Sequence, residues 1–209
     1  SKWLTPLNFL AAQRYAPQFS AQLEDLMARS YATRKIPGTT ILAVDVSGSM
    51  GALTSTGSKF SRMDLAFALA ALAGYMFEDV MLVFTAGSDG YRKGAHVLWN
   101  NSKGFGIFND QRAISAKVGL GGIFTHQLCE WLKDEGLADQ ADRLVVISDS
   151  QDIDAAHGKK VLADTSPYKT SYIIDISTHT HGIKTGRWTA EINGWSDRLF
   201  HYIAEVEQG

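Results

Sequence analysis

Apolar residues along this 209-residue chain fall into two alternating regimes. Thr39-Thr40-Ile41-Leu42-Ala43-Val44, Val80-Met81-Leu82-Val83-Phe84, Leu144-Val145-Val146-Ile147 and Tyr172-Ile173-Ile174-Asp175-Ile176 are nearly unbroken apolar runs. Short runs without a polar face predict strands covered on both sides, as in a parallel sheet. His96-Val97-Leu98-Trp99 predicts a further strand, and Trp188-Thr189-Ala190-Glu191-Ile192 an edge strand. Between them the period changes to that of a helix. Phe9, Leu10 and Ala12 predict a short helix ended by Pro17; Phe19, Leu23, Leu26 and Met27 predict a second, with Ser20 as its cap. Ser61-Arg62-Met63-Asp64 is a capping-box variant that opens a helix running to about Phe77, apolar nearly all round and so buried on more than one side. Helices are also predicted over 110–118 and 125–135, with a last one opening at Asp197. Strands alternating with helices give an α/β class. The expected architecture is a doubly wound, mostly parallel central sheet flanked by helices, with a short N-terminal helical lead-in. In such a sheet ligands gather beyond the carboxyl ends of the strands.

Directly behind the first apolar run stands Asp45-Val46-Ser47-Gly48-Ser49. One carboxylate and two hydroxyls, two residues apart each time, then lie at the mouth of a buried strand. A hard divalent cation takes oxygen ligands, and Mg²⁺ keeps some positions for water. A cage of low charge leaves the cation electrophilic enough to take an anionic ligand from outside, so the pattern reads as a metal-dependent adhesion site. The competing reading is a hydrogen-bonded strand-to-loop turn without metal. Glycines cluster at Gly48/Gly51/Gly57, Gly87/Gly90/Gly94 and Gly104/Gly106/Gly119/Gly121/Gly122, and some of these loops are expected at the same end.

Composition narrows the picture only a little. The chain is 45% hydrophobic and 20% charged, which is ordinary globular material with enough apolar residues for a sizeable core. A net charge of -2 argues weakly against a free-standing nucleic-acid binder. Cys129 is the sole cysteine, so no internal disulfide forms and a reducing, cytoplasmic setting is expected. No stretch approaches the about 18 consecutive apolar residues of a membrane span, and no signal peptide is seen. The beginning at Ser1-Lys2-Trp3 without methionine suits a domain cut from a longer protein, and equally a processed or engineered terminus.

A hydrophobic strand, then Asp-x-Ser-x-Ser, a loop and a long helix resembles the opening of the von Willebrand factor type A domain over about 36–209. The resemblance implies two more parts of the metal site: a threonine after a glycine pair and an aspartate ending a later core strand. Asp149, closing Leu144-Val145-Val146-Ile147-Ser148, matches the second. After Gly121-Gly122 the sequence departs from the pattern, with Ile123-Phe124 before Thr125. An ungapped frame puts an aliphatic Ile123 at the ligand position and His126 and Gln127 on the buried stripe. A two-residue insertion uses Thr125 and places Leu128, Cys129 and Leu132 on one helical face. The insertion is preferred. The metal set is then Asp45, Ser47, Ser49, Thr125 and Asp149, holding Mg²⁺, or Mn²⁺ or Ca²⁺ in its place. Ser47 and Ser49 bind directly, as does the Thr125 hydroxyl in one ligand state; Asp45 and Asp149 hold waters and supply charge from the first or second shell. The open position accepts a carboxylate or phosphate oxygen.

A narrower resemblance is to the Ro ribonucleoproteins, the TROVE-module family, of bacterial or phage kind. It rests on Leu4-Thr5-Pro6-Leu7-Asn8-Phe9-Leu10-Ala11-Ala12-Gln13-Arg14-Tyr15, on Pro37 to Met50, on Arg62-Met63-Asp64 and on Ile192-Asn193-Gly194-Trp195-Ser196-Asp197-Arg198-Leu199-Phe200-His201-Tyr202-Ile203. It implies residues 1–35 as a hinge toward a helical-repeat ring missing here, and 36–209 as the type A domain that closes the ring. It also implies small noncoding RNA as the partner of the whole particle, in RNA binding and quality control. The alternative is a type A adaptor capturing a protein carboxylate in an ATPase- or chelatase-associated system. Enzyme activity is not expected: Ser47 and Ser49 occupy the places where a second carboxylate would follow Asp45, and no Gly-Lys-Ser/Thr phosphate loop occurs. Arg29/Arg34/Lys35, Arg92-Lys93 and Lys159-Lys160 read as solvated surface, His179-Thr180-His181 as a polar stretch without a metal, and Trp3, Phe9, Tyr15, Phe19 and Tyr31 as packing surface.

Overall fold

In the computed structural model, residues 4–31, 34–153, 168, 170–177, 188–196 and 198–208 are described. The chain forms α1 (Pro6–Tyr15), α2 (Ser20–Ser30), β1 (Ile36–Asp45), α3 (Arg62–Met76), β2 (Phe77–Ser88) and β3 (Lys93–Trp99). It continues with α4 (Gln111–Val118), α5 (Thr125–Asp134), β4 (Arg143–Ser148), β5 (Thr170–Asp175), β6 (Ala190–Asn193) and α6 (Leu199–Gln208). The six strands make one sheet in the order β3-β2-β1-β4-β5-β6. Every neighbouring pair is parallel except β2 with β3, whose register Ser88↔Lys93 leaves a connection too short for anything but a hairpin.

The period of two along the strands divides the core. Leu42, Val44, Leu82, Phe84, Val145, Ile147 and Ile174 face a large cluster with α1, α2, α3 and α6. Ile41, Ala43, Val83, Leu144, Val146 and Ile173 face a smaller one closed by Leu128, Cys129 and Leu132 of α5. Both faces of β1 and β4 are therefore dry, which is why these strands carry no polar alternation. The lead-in helices share the larger core: Phe9 and Leu10 of α1 and Met27 of α2 are buried in it. Phe9 and Tyr31 meet edge to face at 6.4 Å between ring centroids. Tyr15 and Phe19, also expected to pack, are exposed instead.

The expected capping box opens α3. Asp64 N–H donates to Ser61 Oγ at 3.1 Å, and Ser61 N–H to Asp64 Oδ2 at 2.9 Å. Arg14 of α1 donates to Asp64 Oδ1 at 2.5 Å, tying the lead-in to this helix. Burial pushes the Asp64 carboxyl up, but the Arg14 guanidinium and the Ser61 donors outweigh it, so it lies below the ordinary value of 3.8. Ser20 differs from expectation: it lies inside α2, whose cap position is Phe19, and its hydroxyl donates to Gln13 Oε1 at 2.7 Å. Cys129 is buried among apolar residues as expected. Among the described residues no helix is long and apolar enough to cross a membrane. His157, Lys159-Lys160, His179-Thr180-His181, Trp3 and Asp197 lie outside the described residues.

Candidate metal centre

β1 pairs with β2 on one side and β4 on the other, so the strand order reverses beside β1 and leaves a crevice past the carboxyl ends of β1 and β4. Asp45 ends β1 there, and Asp149 follows the last residue of β4. Asp45 is fully buried. Its Oδ1 accepts the Ser47 N–H and its Oδ2 the Ser148 hydroxyl, each at 2.7 Å. Burial raises its carboxyl to about 6; the Ser47 and Ser148 hydrogen bonds oppose that rise and the nearby Asp149 charge adds to it. Among the described residues the groups that hydrogen-bond Asp45 are neutral ones, from Ser47 and Ser148.

The chain then turns through a 3₁₀ segment, Gly48–Gly51, anchored by buried Met50. The turn sets Ser47 Oγ and Ser49 Oγ 3.1 Å apart. Ligands about 2.1 Å from a Mg²⁺ ion and adjacent on an octahedron lie about 3.0 Å from one another, so the serine pair has the spacing of one octahedral edge. The glycines serve this convergence. Gly121 N–H donates to Gly87 O at 3.0 Å, and a Cβ on Gly121 would sit 2.3 Å from that carbonyl oxygen. A Cβ on Gly48 would come 2.7 Å from Leu120 O. Only bare backbone lets the loops after β1, β2 and α4 meet this closely. They border a cleft of about 190 Å³ lined by Ser49, Asp89, Gly121, Gly122 and Gln151 among others.

Thr125 is the first residue of α5 and is fully buried, with Leu128, Cys129 and Leu132 buried behind it and His126 and Gln127 off the stripe. The buried face of α5 is thus the one formed by Thr125, Leu128, Cys129 and Leu132. Thr125 N–H and hydroxyl both donate to the Asp152 carboxylate, the amide at 3.3 Å. Asp152 thus caps α5 from the loop after β4, where its backbone bridges Ile123. Asp149 is buried; its Oδ2 accepts Arg62 Nη1–H at 2.9 Å, and its Oδ1 a longer bond of 3.4 Å from Gln151 N–H. Ser150 between them holds φ at +63°, a left-handed conformation that a non-glycine residue adopts at some cost.

The structure accordingly gathers Asp45, Ser47, Ser49 and Asp149 at the ends of β1 and β4 and ties Thr125 to the same end through Asp152. Thr125's proton is committed to Asp152, which leaves the lone pairs of its oxygen. Sequence reading missed Ser148, Arg62 and Asp152. Asp152 had a signal, a second carboxylate three residues after Asp149; Arg62 had one as the basic residue at the start of a helix that is apolar after Asp64. Among the described residues no three His, Cys, Asp or Glu side chains assemble as a ligand set, so a cation here relies on hydroxyl oxygens. The buried Asp45 charge and the serine spacing fit a hard divalent ion.

No protein-family model matches the sequence, and no curated protein does. Solved structures do match. The Ro (RSR) protein of Deinococcus radiodurans superposes with a TM-score of 0.58 at 15% identity, over 92% of this chain and 39% of that one. The minor pilin PilB of Streptococcus sanguinis gives 0.50 at 11% identity, over 84% of this chain and 62% of that one. BatB of Bacteroides thetaiotaomicron gives 0.48 at 12% identity, over 81% and 97%. At such identities the likeness to the Ro protein establishes the fold alone, a doubly wound, mostly parallel sheet flanked by helices. The chain spans 39% of the length of that Ro protein.

Proposed function

We propose that this chain is a divalent-cation-binding module of a Ro-family RNA-binding protein, acting in noncoding RNA binding and RNA quality control. The observation that carries the cation reading is the serine hydroxyl pair 3.1 Å apart beside a fully buried Asp45, at the point where the strand order reverses. Ser47 and Ser49 would hold Mg²⁺ (or Mn²⁺ or Ca²⁺) directly, with Thr125 as a third hydroxyl and with Asp45 and Asp149 contributing charge through water. A bound cation supplies a Lewis-acidic corner for a carboxylate or phosphate oxygen from outside. The chain's own groups orient the donors: Asp45 Oδ1 fixes the Ser47 backbone, Ser148 fixes the Asp45 carboxylate, and Asp152 fixes the Thr125 hydroxyl. In this reading the chain binds its partner and does no chemistry on it.

The Ro part of the reading is supported by the lead-in at Leu4–Tyr15, the stretch Pro37–Met50 and the tail Ile192–Ile203. It is supported too by the shared fold over 92% of this chain. The ring of helical repeats and the RNA belong to this proposal. Titration calorimetry with Mn²⁺ tests the cation reading: the wild-type chain binds one ion, and Asp45→Ala abolishes binding while circular dichroism stays near wild type. Equal binding by both proteins would remove the site. A gel shift of the same chain fused to the rest of its reading frame tests the RNA reading, with structured RNA retained by the long form. If neither form retains RNA, the Ro assignment fails.

A further inference from the structure

Arg62 is the first residue of α3, yet its side chain reaches the cation end of the sheet and donates to Asp149, 87 positions further along the chain. Only 7% of the Arg62 side chain and none of the Asp149 side chain is exposed. A guanidinium stays protonated at any working pH, so a fixed positive charge sits on a carboxylate that a cation would also draw on. An ion pair this dry is held by geometry, and removing one member strands the other charge. Asp45 differs: its oxygens are held by an amide and a hydroxyl, without a cationic partner among the described residues. Asp152 is committed to the start of α5. The centre therefore combines one balanced carboxylate with one unbalanced one.

We propose that Arg62 is a tethered counter-ion of the metal centre, neutralising Asp149 in the metal-free protein and setting cation affinity by competing for that carboxylate. The inference rests on the cation-binding reading and adds its regulation. With Arg62 in place, a divalent ion meets less negative charge and a like charge nearby, so it binds more weakly than two free carboxylates would hold it. What does bind keeps more of its own charge for an anionic oxygen, so cation and partner binding reinforce each other.

The test is Mn²⁺ titration calorimetry on the wild-type chain, Arg62→Gln and Arg62→Lys, with metal-free melting curves beside it. Arg62→Gln is expected to bind Mn²⁺ about tenfold tighter or more, because the competing charge is gone. Without metal it melts below wild type, since Asp149 is left unpaired, and Mn²⁺ restores it. Arg62→Lys keeps the charge and stays within about threefold of wild type in affinity. Should Arg62→Gln be unfolded without metal, refolding on addition of Mn²⁺ supports the proposal, and failure to refold contradicts it. Wild type and Arg62→Gln binding Mn²⁺ equally, or Arg62→Lys binding as tightly as Arg62→Gln was expected to, overturns the counter-ion role and leaves the metal centre standing. Binding by neither wild type nor a folded Arg62→Gln overturns both.

Discussion

At the scale of single residues, the centre is governed by how each carboxylate is balanced. Asp45 is held by the Ser47 amide and by serine hydroxyls, Asp149 by a guanidinium, Asp152 by the first amide and hydroxyl of α5. Asp64, outside the centre, shows the same logic in measurable form. Its folded carboxyl lies below the ordinary 3.8, so the ionised form stabilises the fold above that value and the contribution is lost as pH falls through the lower folded value. Asp64→Asn is therefore expected to destabilise the chain by about 1 kcal/mol at pH 7 through the lost cap and Arg14 contact. The gap to wild type should shrink below pH about 4, as urea unfolding across pH would show. The Asp45-x-Ser47-x-Ser49 pattern was legible because the donors are neighbours in sequence. Arg62 with Asp149 and Thr125 with Asp152 were not, because 87 and 27 residues separate the partners and only the folded sheet joins them.

Secondary elements were legible wherever burial left a period. β1 and β4 declared themselves as unbroken apolar runs because both faces are covered, and α3 as a helix without a polar face because its sides all meet the core. The antiparallel direction of β3 was not read, since apolar spacing carries no strand direction; the short connection after Ser88 carries it. Ser20 shows the limit of cap residues as signals, for its hydroxyl bonds Gln13 and lies within the helix. Gly74 of α3 gives a prediction at this scale. Helix propensity alone favours Gly74→Ala by about 1 kcal/mol. A Cβ there, however, would sit 2.7 Å from Gly104 N, a backbone atom that yields only if the loop shifts. The clash should dominate, giving a net loss of about 1–3 kcal/mol in denaturant unfolding. A gain in stability would mean that the 104–109 segment moves freely.

For the whole molecule, the doubly wound sheet explains why residues near 45, 121 and 149 share one end: each follows or precedes an element whose carboxyl end points there. The same frame puts α1 and α2 on the core of the sheet domain, with Tyr15, Phe19 and Leu26 left exposed. With a net charge of -2, this chain by itself is expected to bind structured RNA weakly and to lose that binding steeply with salt. Tight, structure-selective gel shifts by these residues alone would contradict the proposed division of labour with a helical ring. The central claim, that hydroxyls from separate loops hold one hard ion, is tested most directly by anomalous diffraction from a crystal soaked in Mn²⁺. The account predicts one peak within ligand distance of both Ser47 Oγ and Ser49 Oγ, with Thr125 and Asp149 turned toward it. A soaked crystal with no peak there, or with Thr125 and Asp149 facing away from the serine pair, contradicts it.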